Sequence, residues 1–176
     1  MKLRLASYNL ENLGDKAGVE PDFAARIQAF KPHFRRMAAD VICLQEVNAQ
    51  AVTHGARTLA ALDQLLAETP YRDYHRAVTF NDAGRQLRDV QNLVVLSRFP
   101  ILQRRQVMHD LVPPPLYRPV TARPPAAPAP VPVRWNRPIL QVRLDLGRER
   151  PLDIVNLHLR APLAAFISGQ KAGAFA

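Results

Sequence analysis

Three short polar segments of this chain carry the residue types that most often do chemistry. They are residues 8–12 (Tyr-Asn-Leu-Glu-Asn), 45–48 (Gln-Glu-Val-Asn) and 156–158 (Asn-Leu-His). Each segment follows a predicted buried strand, and polar groups at strand ends in layered α/β proteins often converge on one ligand-binding edge. A carboxylate, an amide and an imidazole that meet at such an edge would suit a hard divalent cation and a phosphate.

The strands that must position these segments follow from alternating and apolar runs. Residues 2–8 alternate, with Leu3, Leu5 and Ser7 on one side of the chain, which predicts a strand. Residues 41–44 (Val-Ile-Cys-Leu) form an apolar run that predicts a buried strand ending at the second polar segment. Further strands are predicted at residues 74–80, 93–96, 139–146 and 152–157.

Two helical regions lie between these strands. The first begins at Pro21-Asp22 and shows apolar residues at spacings of three and four, which place them on one face. These residues are Phe23, Ile27, Phe30, Phe34 and Met37. Pro32 interrupts the run and is expected to split it into two short helices. A second helix is predicted at residues 55–68, with an apolar stripe of Leu59, Leu62, Leu65 and Leu66.

The order of these elements predicts an α/β layered fold with mixed sheet pairing. Between residues 113 and 138 the chain is dense in proline, which predicts an extended, polyproline-like insertion loop within the domain rather than a separate domain. Such a loop is either functional or a mobile surface insertion, and the pattern favours the second interpretation.

Four segments in order along the chain resemble the motifs of the endonuclease/exonuclease/phosphatase family. They are residues 5–13 (LASYNLENL), 39–47 (ADVICLQEV), 92–101 (NLVVLSRFPI) and 152–159 (LDIVNLHL). The resemblance implies a deoxyribonuclease I-like fold, a two-sheet β-sandwich flanked by helices. It also implies a metal-dependent phosphodiester hydrolase, with a nuclease as the leading interpretation.

The resemblance assigns roles to four residues. Glu46 would bind Mg²⁺ or Mn²⁺, and Glu11 stands where many members have a second acidic metal ligand. Asn9 would orient a metal ligand or the scissile phosphate, and His158 would donate a proton or hydrogen bond to the phosphate. The alternatives are a solvated acid for Glu46, an exposed loop acid for Glu11, an asparagine turn for Asn9 and a satisfied polar residue for His158.

Two later motifs of the family do not occur in this sequence. They are a Gly-Asp-Phe-Asn-like and a Ser-Asp-His-like strand end, which in the family supply the base and its support. We therefore expect residues 1–176 to be an incomplete domain that lacks its carboxy-terminal half, its partner in folding and catalysis. We expect this chain to be inactive alone and to expose an apolar sheet face.

Composition narrows the class of protein and its partners. The formal charge is +9 over 176 residues, and the pI of about 10.6 favours an anionic partner such as nucleic acid or another phosphate ester. The positive residues are mostly scattered arginines, which a GC-rich coding sequence also produces. The alternatives to a nuclease are a phosphatase acting on a small phosphorylated molecule or lipid head group, and a non-catalytic binding protein.

The sequence also predicts where the protein works. Its single cysteine, Cys43, excludes an internal disulfide and lies in an apolar run where an inert, buried thiol is expected. No stretch approaches the roughly 20 apolar residues that a membrane span requires. A cytoplasmic protein without a membrane partner is therefore expected.

Overall fold

The computed structural model describes residues 2–14, 22–52, 55–110, 112–118, 129–134 and 137–159. Contacts divide the chain into two units, one of residues 1–107 and 138–158 and one of residues 108–137 and 159–176. The elements in chain order are β1 (Leu5–Leu13), α1 (Phe23–Met37), β2 (Val41–Val47), β3 (Gln50–Ala51), β4 (Arg57–Thr58), α2 (Ala60–Leu66), β5 (His75–Val78), β6 (Asn92–Ser97), β7 (Ile101–Val107), β8 (Leu116–Tyr117), β9 (Val131–Pro132), β10 (Ile139–Asp145) and β11 (Pro151–Asn156).

The first sheet of the larger unit has four strands in the order β1-β2-β6-β5. β1 and β2 run parallel, whereas β6 is antiparallel to both β2 and β5. The mixed pairing expected from the sequence is therefore confirmed. Because β1 and β2 are parallel neighbours, the polar segments that end them lie at the same edge of this sheet.

Helix α1 covers the outer face of the first sheet. Its cap residue Asp22 accepts a hydrogen bond from the backbone N–H of Ala25 at 2.7 Å, which satisfies one of the free donors of the first turn. Ile27 and Phe34 are buried on the predicted face, and Phe23, Phe30 and Met37 pack beside them.

The expected break at Pro32 is wrong. One continuous helix runs from Phe23 to Met37 with Pro32 inside it. Pro32 removes one backbone hydrogen bond. Ile27 before it and Phe34 after it are both buried in the same core, and that packing holds the two halves of the helix together.

The second predicted helix is shorter than expected. α2 covers only Ala60–Leu66, and residues Arg57–Thr58 at its predicted start pair instead with Gln50–Ala51 in a small antiparallel ladder. The predicted stripe of Leu59, Leu62, Leu65 and Leu66 is buried as expected.

The second sheet of the larger unit has three antiparallel strands in the order β11-β10-β7. An apolar layer between the two sheets contains Val41 and Val95 of the first sheet and Leu140, Val142 and Ile154 of the second. The two sheets thus form a sandwich with α1 and α2 on its outer side, which confirms the predicted fold class. β7 was not predicted, because most of its residues are exposed and polar and show no alternation.

The smaller unit contains the proline-rich segment. Its strands β8 and β9 form a two-residue antiparallel ladder in which Leu116 pairs with Pro132 and Tyr117 with Val131. Residues 119–128 and 135–136 lie outside the described residues, so the predicted polyproline-like conformation stays a prediction there. Among the described residues, no helix is long and apolar enough to cross a membrane.

Candidate active site

Two irregularities in the strand pairing create the edge where the polar segments meet. Between β1 and β2 the register shifts after the Asn9–Gln45 pair and resumes at Leu13–Val47, so β1 has two more residues than β2 in this interval. Between β2 and β6 the register shifts between Leu44 and Val47. Glu46 therefore lies opposite the bulge of β1 and within the bulge that β2 forms against β6.

The backbone around this bulge adopts left-handed conformations that are uncommon outside glycine. The φ angles are 47° at Glu11, 56° at Asn12 and 58° at Glu46. Each such conformation costs on the order of 1–3 kcal/mol and persists only where surrounding contacts enforce it. Backbone strain of this kind clusters at functional sites, which supports a role for Glu46 beyond the sheet.

Glu46 and His158 meet at this edge, although they are 112 positions apart in the sequence. His158 Nε2 lies 3.6 Å from Glu46 Oε1, and Glu46 Oε2 accepts a hydrogen bond from the backbone N–H of Asn12 at 3.1 Å. The Glu46 side chain is 14% exposed and the His158 side chain is 21% exposed. The ends of β1, β2 and β11 thus converge as the sequence predicts, and we call residues 9–12, 45–48 and 156–158 the polar edge.

The Asn9 side chain takes part in a local hydrogen bond. Its Oδ1 accepts a hydrogen bond from the backbone N–H of Glu11 at 2.8 Å, so this oxygen stabilises the bulge of β1. This is the asparagine turn that the sequence left open as an alternative. Asn9 is exposed and is the last residue of β1 in regular pairing with β2 before the register shifts. Its amide nitrogen has no acceptor among the described residues, so a role toward a phosphate rests on that nitrogen.

Arg26 of α1 fixes the same bulge from the helix side. Its guanidinium donates to the backbone carbonyls of Leu10 and Glu11, each at 2.7 Å. This anchoring leaves the Glu11 side chain exposed next to Asn12, whose N–H contacts Glu46. Glu11 therefore belongs to the polar edge, but no described contact joins its carboxylate to Glu46.

The donor set at the polar edge fits a cation that keeps much of its water. Among the described residues, no group of three or more His, Cys, Asp or Glu side chains is arranged to hold a metal. Mg²⁺ needs no such cage, because one or two carboxylates together with water and substrate phosphate are its usual ligands. Glu46 offers a partly exposed carboxylate whose oxygens retain free lone pairs. Glu11 is exposed and directly precedes Asn12, whose N–H binds Glu46.

Four amide side chains to which the sequence analysis assigned no role support this edge. Gln45 and Asn156 form a buried hydrogen bond to each other, while Asn48 and Asn92 bind backbone groups near the end of β2. Each lies within two residues of a motif position already considered, or begins a motif. Their places in or beside the motifs could have pointed to these amides. Sequence alone does not show which backbone groups they bind.

Cys43 agrees with the expectation of an inert thiol. Burial raises the pKa of the Cys43 thiol to about 11, so the reactive thiolate is scarce at neutral pH. Its side chain packs against the apolar layer between the two sheets. We therefore assign Cys43 to the core rather than to the polar edge.

The sandwich and its polar edge together define a protein of the deoxyribonuclease I-like fold. A family model described as the Endonuclease/Exonuclease/phosphatase family matches residues 6–165. The chain therefore belongs to this family.

Solved structures show the same fold at low sequence identity. One is an endonuclease/exonuclease/phosphatase family protein from Leptotrichia buccalis C-1013-b, with a TM-score of 0.54, 15% identity, and coverage of 92% of this chain and 56% of that one. Another is a mannosyl-6-phosphatase from Bacteroides thetaiotaomicron VPI-5482, with a TM-score of 0.56, 17% identity, and coverage of 89% and 51%. The chain spans about half the length of these two structures. No curated protein matches it.

Proposed function

We propose that this chain carries the metal-binding and histidine side of a divalent-metal-dependent phosphodiester hydrolase, and that the whole protein is a nuclease. The observation that carries the proposal is the Glu46 carboxylate, held in a strained bulge 3.6 Å from the His158 imidazole. Members of the family commonly use divalent metals, and Mg²⁺ or Mn²⁺ suits the oxygen ligands present here.

The residues of the polar edge divide the work in this proposal. A bound divalent cation supplies positive charge that stabilises a phosphoryl oxygen. Glu46 and Glu11 would provide the carboxylates that hold the cation. His158 donates a hydrogen bond or a proton to the phosphate as negative charge builds up, and Glu46 Oε1 orients its ring. Asn9 Nδ2 adds a hydrogen bond to a phosphate oxygen.

The nuclease assignment competes with a phosphatase of the same fold. The net charge of +9 favours a polyanion. At least six described arginines, however, already pair with carboxylates, which leaves less free positive surface than the total suggests: Arg35, Arg57, Arg76, Arg88, Arg98 and Arg143. This pairing keeps a small phosphate ester or lipid head group as the second candidate substrate.

Binding and turnover at varied salt separate these two substrates. For a nuclease, affinity for oligonucleotides should fall steeply as salt rises, since phosphate contacts release counterions. For a phosphatase, turnover of a small phosphate ester should be insensitive to salt. The measurement requires a protein that includes the later family motifs. Absence of metal-dependent turnover of any phosphate ester by that protein, with Mg²⁺ or Mn²⁺, would contradict the proposal and favour a non-catalytic binding protein.

The 176-residue chain by itself is proposed to be inactive. The Gly-Asp-Phe-Asn-like and Ser-Asp-His-like motifs do not occur in its sequence, and loss of a general base alone lowers rates by about 10²–10⁴-fold. An assay of purified residues 1–176 with Mg²⁺ on DNA, RNA and a small phosphate ester checks this. Robust turnover would contradict it. A cytoplasmic location is part of the proposal and rests on the lone, unpaired cysteine.

A further inference from the structure

Two buried amide side chains of the polar edge connect the two sheets. Gln45 of β2 and Asn156 of β11 are 7% and 2% exposed, and Gln45 Nε2 donates to Asn156 Oδ1 at 2.8 Å. Gln45 Nε2 also lies 3.1 Å from Ser7 Oγ of β1. This amide pair therefore joins the strands β1, β2 and β11, whose ends form the polar edge.

Asn156 also fills the gap in the hydrogen bonding that the bulge creates. Its Nδ2 donates to the backbone carbonyl of Leu44 at 3.0 Å and to that of Val94 at 3.1 Å. Leu44 and Val94 are the last regular pair between β2 and β6 before the register shifts. Without Asn156, two buried carbonyls at the start of the bulge would lack this donor, and unpaired buried polar groups are costly.

The position of Asn156 links it to both functional side chains at once. Gln45, its partner, is followed immediately by Glu46, whose φ of 58° requires support from its surroundings. Asn156 is the last residue of β11, and His158 follows it by two residues. A movement of Asn156 relative to β2 would therefore change the distance between Glu46 and His158.

We propose that Asn156, acting with Gln45, is a positioning residue that holds Glu46 and His158 in register for metal and phosphate binding. The effect of Asn156 on metal binding rests on the proposed function. Its role in holding Glu46 and His158 in place does not. Residues that support metal ligands typically change metal affinity by about 10–100-fold when they are replaced. Asn156 contacts neither metal nor phosphate in this proposal and acts through Glu46 and His158.

The test compares Asn156→Leu with Ile154→Ala in the 176-residue chain. Leu matches the size of Asn but donates no hydrogen bond. Ile154 lies on the same strand and faces the same layer between the sheets, so its truncation is a control for lost packing alone. Both variants should unfold at lower temperature than the parent. Only Asn156→Leu should weaken Mn²⁺ binding, measured by electron paramagnetic resonance titration, by about tenfold or more.

A double variant and hydrogen exchange make the result specific. Adding Asn156→Leu to Glu46→Gln should weaken Mn²⁺ binding little beyond Glu46→Gln alone, because the two act on one ligand. Amide exchange at Glu46 and Val47 should accelerate in Asn156→Leu but not in Ile154→Ala. If Asn156→Leu does not fold, Gln45→Met, which keeps the side-chain length and removes the amide, takes its place.

Each outcome decides one of the two proposals. If Mn²⁺ binds in a Glu46-dependent manner but Asn156→Leu and Ile154→Ala change it equally, the positioning role is wrong and the proposed function stands. If the parent shows no Glu46-dependent Mn²⁺ binding, the metal site of the proposed function is wrong. The positioning role is then decided by hydrogen exchange alone, and equal exchange at Glu46 and Val47 in the two variants overturns it.

Discussion

Glu46 keeps a strained backbone at a position where glycine would be relaxed. A φ of 58° disfavours residues with a side chain by about 1–2 kcal/mol, and the surrounding bulges would accept glycine without that cost. The Glu46 carboxylate also accepts a hydrogen bond from the Asn12 N–H and lies beside His158. A glutamate that persists there is best explained by a need for its carboxylate at that place.

The two acidic residues of the polar edge should differ in their contribution to metal binding. Glu46→Gln removes the charge of the anchored carboxylate and should weaken Mn²⁺ binding by about tenfold or more. Glu11→Gln removes an exposed carboxylate without a described contact to Glu46 and should weaken it by roughly threefold or less. Both affinities can be measured by the same titration of residues 1–176.

Each glutamine variant keeps the size of the side chain, so the pair is internally controlled for packing. Unchanged thermal unfolding in both would confirm that the comparison concerns the site alone. A larger effect of Glu11→Gln than of Glu46→Gln would reverse the assignment of the principal ligand. The proposed function would then lose Glu46 as its main support.

The sequence predicted which charged residues converge but not how they are held. Glu46 and His158 were found because polar residues at the ends of apolar strands share an edge of the sheet. The left-handed backbone at Glu11 and Asn12 was not found, since no glycine marks those positions. The sequence left open whether Asn9 orients a metal ligand or phosphate or forms an asparagine turn. The hydrogen bond from the Glu11 N–H to Asn9 Oδ1 is a local contact that sequence alone does not predict.

At the scale of single elements, helix α1 tolerates a proline at its tenth position. Pro32 is exposed and cannot donate a hydrogen bond to the carbonyl of Gln28, four residues earlier. Pro32→Ala should restore that bond, lose no buried contact and increase the free energy of unfolding by about 1–3 kcal/mol. The midpoint of thermal unfolding should rise by roughly 2–4 °C for each kcal/mol.

The neighbouring exposed residue provides the control for this change. His33→Ala alters a side chain on the same turn but leaves the backbone donor in place, so it should change the midpoint much less. A decrease in stability for Pro32→Ala would mean that the proline stabilises the helix through the unfolded state. The continuity of helix α1 through Pro32 would then need a different physical explanation.

Asp40 joins three strands at the end of the first sheet opposite the polar edge. Its carboxylate accepts from the backbone N–H of Arg4 at 2.7 Å and pairs with Arg98 Nε at 3.0 Å. The carboxylate side chain is only 15% exposed. Asp40 and Arg98 belong to two of the motifs found in the sequence, and this contact gives both a structural explanation.

Replacing Asp40 should therefore affect stability and leave the metal site intact. Asp40→Asn should lower the free energy of unfolding by about 1–2 kcal/mol, because a charged hydrogen bond is lost from a largely buried position. Asp82→Asn, at a carboxylate that is 74% exposed beside Arg88, should lower it by less than about 0.5 kcal/mol. Chemical denaturation measures both, and a loss of Mn²⁺ affinity in Asp40→Asn would contradict this separation of roles.

Elements with a clear apolar pattern were predicted well, and those defined by their neighbours were not. The apolar stripe of α1 predicted a helix, and the buried apolar runs of β2 and β6 predicted strands. β7 has exposed polar residues along most of its length and is a strand because β10 pairs with it. Arg57–Thr58 likewise became a strand by pairing with Gln50–Ala51, which overrides helical propensity.

At the scale of the whole sandwich, the two sheets differ in width. Among the described residues, the first has four strands and the second has three. β1 is an edge strand, and on the face it shares with the buried Val41 its residues Leu5, Ser7 and Asn9 are exposed. Leu5 is 54% exposed, although it pairs in register with Val41, which is 1% exposed. The apolar layer between the sheets therefore ends before it reaches β1.

This exposed part of β1 should make the 176-residue chain associate with itself. An edge strand offers unpaired backbone groups, and Leu5 adds apolar surface beside them. In sedimentation velocity the weight-average size should rise with concentration, and Leu5→Lys should reduce that rise, because a charged edge residue opposes pairing. Leu116→Lys, at an exposed leucine outside the sandwich, is the matched control and should change little. A monomer at every concentration, or an equal effect of the two lysines, would show that β1 is protected by other means.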